Sequence, residues 1–203
     1  MLVLLSTLAP FFPLIAGFRQ RSSIIWWYCL FSLTTDLLTY YLRQQEIQLS
    51  LPGNIFAGIE FLCLLFFYKN KVFLRRNTLF YIILASGILF FLTTTSLGPG
   101  WFTLNRMGIT MFLLLYIVLA LTGFYMLLRE QNSRSAERSS FFWVNTAVLL
   151  FASGAFFMFL YTANIKSAAD KKALSQLWFT LFQVINILKN ILLGIALIQK
   201  QER

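Results

Sequence analysis

Seven long stretches with almost no charge follow one another along this 203-residue chain, and they limit its fold more than any other feature. They run at about 2–17, 23–42, 53–68, 78–97, 108–128, 141–162 and 174–198. A helix needs roughly 20 apolar residues to cross a bilayer core. Because 59% of the residues are hydrophobic and only 12% are charged, too few polar side chains remain to cover a soluble protein of this size. The sequence therefore predicts an all-α bundle of seven transmembrane helices in a single domain.

The basic residues of the connecting loops predict the orientation of this bundle. Of the 17 Lys and Arg, eleven fall on one side of the predicted membrane, five on the other, and Lys189 within the seventh stretch. The eleven are Arg19, Arg21, Lys69, Lys71, Arg75, Arg76, Arg129, Arg134, Arg138, Lys200 and Arg203. The five are Arg43, Arg106, Lys166, Lys171 and Lys172. Cytoplasmic loops are enriched in Lys and Arg, so we expect the N-terminus outside and the C-terminus in the cytoplasm.

The first apolar stretch could be a cleaved signal peptide, and the positive net charge could indicate a nucleic-acid-binding protein. Basic residues follow the first stretch instead of preceding it, which is the reverse of a signal peptide, so we expect it to remain as a spanning helix. The formal charge of +10 lies mostly in short loops between apolar stretches. It therefore indicates contact with anionic lipid headgroups and no nucleic-acid partner.

Polar side chains recur along one face of the seventh stretch. They are Gln176, Thr180, Gln183, Asn186 and Asn190, with Lys189 about one position to the side. Spacings of three and four place them on one side of a helix. Unpaired amides are costly in lipid, so this face must turn toward other helices or a hydrated cavity. Two interpretations stay open: hydrogen bonds that hold the helices together, or the lining of a polar pocket.

Two acids lie inside apolar stretches, Asp36 in the second and Glu60 in the third. Both lie roughly 10 Å below the predicted external boundary, and Lys189 lies about 10 Å deeper. Two carboxylates at one depth favour a shared proton or a bound cation. The alternative is that each acid hydrogen-bonds separately to its own neighbours. The predicted ligand or ion cavity comprises Asp36, Glu60, Gln183, Asn186, Lys189 and Asn190.

The second and sixth stretches begin with similar sequences, Ser22-Ser23-Ile24-Ile25-Trp26 and Ser139-Ser140-Phe141-Phe142-Trp143. Both copies follow a basic loop. This likeness suggests two three-helix halves joined by a linker helix, as in several transporter folds. The alternative is convergence, because Trp is favoured at the headgroup level of any membrane protein.

A resemblance in layout accompanies two segments of the chain. With Ser140 to Asn145 and the Asn-Ile-Leu-Lys-Asn-Ile-Leu run at 186–192, the chain resembles small bacterial seven-helix membrane proteins of unassigned function. Their plan is similar to the seven-helix sensor regions of membrane histidine kinases. The resemblance implies a multi-pass protein of the bacterial inner (plasma) membrane. It implies no site residues, and within these 203 residues we expect no kinase or output domain.

The function classes follow from these features. There is no histidine and neither an HExxH nor a GxSxG motif, so we expect no enzyme and no bound metal. A lysine in the last helix also occurs in retinal-binding proteins, but the sixth stretch lacks a proline, and we predict no cofactor. One hypothesis is a receptor-like module that binds a small molecule or lipid and signals through a partner or a second copy of itself. The alternative is a transporter or oligomeric channel that uses the intramembrane acids.

Overall fold

The computed structural model describes residues 1–45, 50–73, 76–98, 100–130, 139–163 and 168–199. Within those ranges all regular structure is helical, which confirms the all-α prediction. The helices are α1 (Leu2–Leu8), α2 (Phe11–Ala16), α3 (Ile24–Gln44), α4 (Ser50–Val72), α5 (Asn77–Ser96), α6 (Arg106–Glu130), α7 (Ser140–Ala163) and α8 (Ala168–Ile198). A 3₁₀ turn at Phe18–Gln20 joins α2 to α3.

Several basic residues used for the orientation lie outside the described residues. They are Arg75, Arg134, Arg138, Lys166, Lys200 and Arg203. Lys171 and Lys172 lie in the first part of α8, whose side chains are not described.

Five of the described helices, α4 to α8, are long and apolar enough to cross a membrane. Large apolar side chains also face outward, including Leu89 at 65% exposed and Leu128 at 75%. A soluble protein rarely exposes so much apolar surface, whereas lipid accepts it. The protein is therefore a helical, membrane-embedded bundle. The helix α3 has 21 residues, but its run of hydroxyl groups and Asp36 makes it less apolar than these five.

The first apolar stretch is not one helix, as the sequence predicted, but two. Pro10 and Pro13 lack the N–H that a continuing helix needs, and the proline ring clashes with the preceding turn. The backbone accordingly makes a tight turn after Leu8, in which the amide of Phe12 bonds the carbonyl of Ala9 at 3.2 Å. The pair α1 and α2 together covers Leu2–Ala16.

The helices pack in a closed order. The helix α8 contacts α7 on one side and both short helices on the other, α7 contacts α6, α6 contacts α4, α4 contacts α3, and α3 returns to α1 and α2. The helix α5 packs on the outside of this ring, against α4 and α6. A direct contact between α3 and α8 crosses the ring. This arrangement brings together the three helices that carry Asp36, Glu60 and Lys189.

Small residues allow the closest approaches between helices. A Cβ atom added at Gly154 of α7 would lie 2.5 Å from Cδ1 of Ile185 in α8, and its neighbours Ala152 and Ala155 are buried. A Cβ added at Gly194 of α8 would overlap the ring of Phe12 in α2. Small side chains at these positions therefore let α7 and α2 pack closely against α8.

One end of the bundle is closed by two buried amides. Asn54 of α4 donates to the carbonyls of Trp101 and Thr103, at 3.0 and 2.9 Å, and accepts from the amide of Asn105 at 2.9 Å. Asn105 in turn caps α6, because its side-chain oxygen accepts from the amide of Gly108 at 2.9 Å. These bonds hold the loop between α5 and α6 against α4.

Candidate functional site

The polar face of α8 turns into the bundle. Asn186, Lys189 and Asn190 are only 5%, 3% and 1% exposed. Gln183 is half-buried, and the side chain of Gln176 lies outside the described residues. The prediction that this face meets other helices is confirmed for its central residues. Lys189 is buried together with these amides, because its long side chain extends into the interior of the helix bundle.

Asn186 connects three helices. Its side-chain amide donates to Oγ of Ser6 in α1 at 3.0 Å and to Oδ2 of Asp36 in α3 at 3.4 Å. One turn along α8, the amide of Asn190 donates to the backbone carbonyl of Asn186 at 2.8 Å. The side-chain oxygen of Asn190 is buried and accepts no hydrogen bond from the described residues. The structure therefore joins Asp36 directly to the amide face of α8.

The Lys189 ammonium group lies between aromatic rings and acids. Its Nζ is 4.5 Å from the ring centre of Phe151 in α7 and 5.4 Å from that of Tyr28 in α3. An ammonium over an aromatic face is attracted by the ring electrons. The positive charge of Lys189 also acts on the carboxyl groups of Asp36 and Glu60 through space, without a direct salt bridge in the part of the chain that the structure describes. We call Tyr28, Glu60, Phe151 and Lys189 the lysine cluster.

The two acids occupy different surroundings. Glu60 is 7% exposed, and its Oε1 accepts a hydrogen bond of 2.8 Å from the hydroxyl of Tyr28. Tyr28 lies eight residues before Asp36 in α3, a rise of about 12 Å. Glu60 thus belongs to the buried lysine cluster, whereas Asp36 lies nearer the other end of α3 and bonds Asn186. No hydrogen bond joins the two acids in the part of the chain that the structure describes, but they interact with each other and with Lys189 through space. The shared carboxyl site stays a prediction.

An open cleft of about 200 Å³ lies beside Asp36. We call it the Asp36 cleft. Its lining residues come from α1, α3 and α8 and are Val3, Ser6, Thr7, Asp36, Thr39, Tyr40, Arg43, Phe182, Gln183 and Asn186. The cleft therefore contains three of the six predicted cavity residues. The other three, Glu60, Lys189 and Asn190, lie outside this lining, in the closed interior.

Sequence reasoning missed Ser6 and Tyr28 as members of the site. Tyr28 could have been found, because it continues the spacing of Ser32 and Asp36 by one more turn of the same helix face. Ser6 and Thr7 are the only hydroxyl residues of the first stretch, and both are buried. Polar residues so isolated in an apolar stretch indicate an inward face.

Within the described ranges no group of three or more His, Cys, Asp or Glu side chains is placed to hold a metal ion. Cys29 and Cys63 are both free thiols. Comparisons with protein-family models, with curated proteins and with solved structures find no match. The geometry of the Asp36 cleft and the lysine cluster is therefore the basis for a functional proposal.

Proposed function

We propose that this protein is a receptor-like membrane module that binds a small polar ligand in the Asp36 cleft. The observation that carries the proposal is an acid and two amides, Asp36, Gln183 and Asn186, lining one open cleft in a membrane-embedded bundle. Such groups accept hydrogen bonds and attract positive charge. Arg43 lines the same cleft and offsets the charge of Asp36, so the ligand we expect is a small polar molecule with hydrogen-bond donors.

The dimensions of the cleft favour a small ligand that binds and leaves by the same opening. Drug-sized pockets measure roughly 300–1,000 Å³, and this cleft is smaller, at about 200 Å³. Below it the lysine cluster and Asn190 are packed tightly, with Lys189 3% exposed. A closed interior supports binding over passage through the bundle.

Binding would be transmitted along α8. A ligand that bonds Asp36 or Asn186 competes with the bonds that Asn186 makes to Ser6 and Asp36. Asn186 is one turn from Asn190 in α8. Asn186 and Lys189 both interact with the carboxyl group of Asp36. A small rotation of α8 would change the packing of the lysine cluster, and a partner protein or second copy would sense the change at the helix ends.

The proposal includes a placement in the membrane. The five long apolar helices, α3 and the pair α1–α2 together would make seven crossings, with the N-terminus outside and the C-terminus in the cytoplasm of a bacterial inner membrane. In that orientation the Asp36 cleft faces the external side. The excess of basic residues in the opposite loops supports this placement.

The test is a thermal-stability screen of the purified protein with small amines, polyamines and polyols. A compound that binds the folded state raises the unfolding temperature. We expect the shift to disappear in Asp36→Asn and to persist in Thr34→Val. Thr34 is a suitable control because it lies on the exposed side of the same helix and bonds only its own backbone, at 2.9 Å to Leu30. A compound that stabilises wild type and Asp36→Asn equally would overturn the assignment of the cleft.

Liposomes separate the receptor from the alternative, a transporter or channel. The compound found in the screen is added outside vesicles that contain the protein, and its uptake is measured with and without a pH gradient. We expect no uptake above that of protein-free vesicles. Uptake that is lost in Asp36→Asn would instead support transport through the same acid, and it would overturn the receptor proposal.

A further inference from the structure

A second open pocket, of about 300 Å³, lies at the opposite end of α3 from the Asp36 cleft. It lies where α3 and α7 begin and α4 ends. We call it the serine pocket. Its polar lining residues are Ser22, Ser23, Asn70, Lys71, Ser139 and Ser140. The start of α3 is about 18 Å of helical rise from Asp36, so this pocket is a separate site.

Two long helices direct their N-terminal ends at the serine pocket. The helix α3 has 21 residues and α7 has 24, and the first residues of both line it. The first four amides of a helix have no acceptor within the helix, and the helix dipole places partial positive charge there. Two helix N-termini that face one cavity favour the binding of an anion in that cavity.

Ser139 is an independent indication of a ligand. This residue is 6% exposed, yet it lines the pocket, and its hydroxyl makes no hydrogen bond to any residue that the structure describes. Most buried polar side chains in proteins have a hydrogen-bond partner. A ligand in the pocket would supply the acceptor that this hydroxyl lacks.

The charge of the lining favours a phosphate group in particular. Lys71 is exposed, and its Nζ lies 5.9 Å from the ring centre of Phe141, which lines the same pocket. The lining residues that the structure describes include no Asp or Glu. We propose that the serine pocket binds a phosphate group through Lys71, the Ser139 hydroxyl and the first amides of α3 and α7. A tetrahedral anion with several acceptor oxygens can bond all of these donors at once.

The proposal also explains why the second and sixth apolar stretches begin with similar residues. The Ser-Ser pair at 22–23 and the Ser-Ser pair at 139–140 start different helices, and they meet at one cavity. Hydroxyl residues at a helix start bond either the amides or an anion held by those amides. The likeness of the two segments is then explained by a common ligand. Apolar walls from Phe66 and Phe67 allow either a phospholipid headgroup with its chains or a soluble phosphate compound as the source.

The experiment measures thermal unfolding in a neutral maltoside detergent at constant ionic strength. The probes are inorganic phosphate in one arm and the short-chain lipid dihexanoyl phosphatidylglycerol in the other. We expect at least one probe to raise the unfolding temperature of the wild type. In Lys71→Gln, and in Ser139→Ala with Lys71→Gln, the half-saturating concentration should rise at least about tenfold, the loss expected for a charge-assisted hydrogen bond.

Lys69→Gln is the matched control. Lys69 is two residues from Lys71 in the same helix, but its Nζ lies over the ring of Phe80, 5.0 Å from the ring centre. Its loss should leave binding unchanged. Stabilisation by phosphate alone identifies a soluble phosphate compound, and stabilisation by the lipid alone identifies a headgroup. No stabilisation by either probe, or equal stabilisation of wild type and Lys71→Gln, overturns the proposal, whatever the ligand of the Asp36 cleft.

Discussion

Replacing Lys189 with methionine removes the positive charge of the lysine cluster and keeps a flexible side chain of similar length. In the wild type this charge attracts Asp36 and Glu60 and lies over two aromatic rings. Glu60 is 7% exposed, so water cannot replace the lost cation. The variant Lys189→Met should therefore leave a buried carboxylate with Tyr28 as its hydrogen-bond donor and no opposite charge.

The size of the effect follows from this burial. Removing one partner of a buried ion pair costs about 3–5 kcal/mol, because the other charge stays in a low dielectric. Lys189 and Glu60 interact through space and form no direct salt bridge in the part of the chain that the structure describes, so we expect a cost at the lower end of this range, about 3 kcal/mol. Folded proteins are stable by only about 5–15 kcal/mol, so a large part of the stability would be lost. Neutralising Glu60 as well should restore most of it. We expect Lys189→Met with Glu60→Gln to lie within about 2 kcal/mol of wild type, because neutral replacements for a whole pair are often tolerated.

The assay is unfolding in mixed micelles of maltoside and dodecyl sulfate, with the free energy of unfolding obtained for wild type, both single variants and the double variant. Such a cycle isolates the coupling between the two side chains. The exposed Arg19→Met is the control and should change stability by about 0.5 kcal/mol or less. The reasoning is refuted if Lys189→Met is as stable as wild type, or if adding Glu60→Gln destabilises it further.

Three further substitutions test other contacts of the fold. Tyr28→Phe removes a donor from Glu60, 2.8 Å away, and should cost about 1–3 kcal/mol in the same titration but little once Glu60 is Gln. Asn54→Ala releases the loop between α5 and α6 and should speed limited proteolysis there; unchanged cleavage would contradict the role given to this amide. Gly194→Ala should displace α2 at a cost of about 1–3 kcal/mol, whereas Gly58→Ala, with no neighbour within 4 Å, should be neutral or slightly stabilising. Equal effects at the two glycines would refute the close approach.

The sequence was sufficient to predict the elements and the inward face of α8. Apolar stretches of helix length can be recognised in the sequence directly. An unpaired amide is costly in lipid, so an amide side chain in such a stretch points toward the other helices. Asn186 and Asn190 are buried for that reason. Pro10 and Pro13 in the sequence also indicate the break in the first helix. The stretch was identified by its hydropathy, which takes no account of the backbone N–H that proline lacks.

The partners of the charged residues could not be predicted in the same way. Depth along a helix can be counted from its ends, but neighbours across the bundle depend on the order in which the helices pack. That order places α3 between α4 and the short helices, with α8 across from it. Counting residues put Glu60 level with Asp36, whereas the hydrogen bond to Tyr28 places its carboxyl beside the first two turns of α3. Side-chain reach and helix tilt decide such distances, and neither can be read from spacing.

The distribution of charge over three helices also constrains how the bundle assembles. Each charged residue near the middle of a lone spanning helix costs about 2.5–3.5 kcal/mol on insertion scales. Asp36 and Glu60 precede Lys189 in the chain, so the helices with the acids are synthesised before the helix that carries the cation. The attraction of both acids to Lys189 is available only when α8 packs against α3. Loss of Lys189 should therefore weaken the docking of α8 more than the packing of α4 on α6.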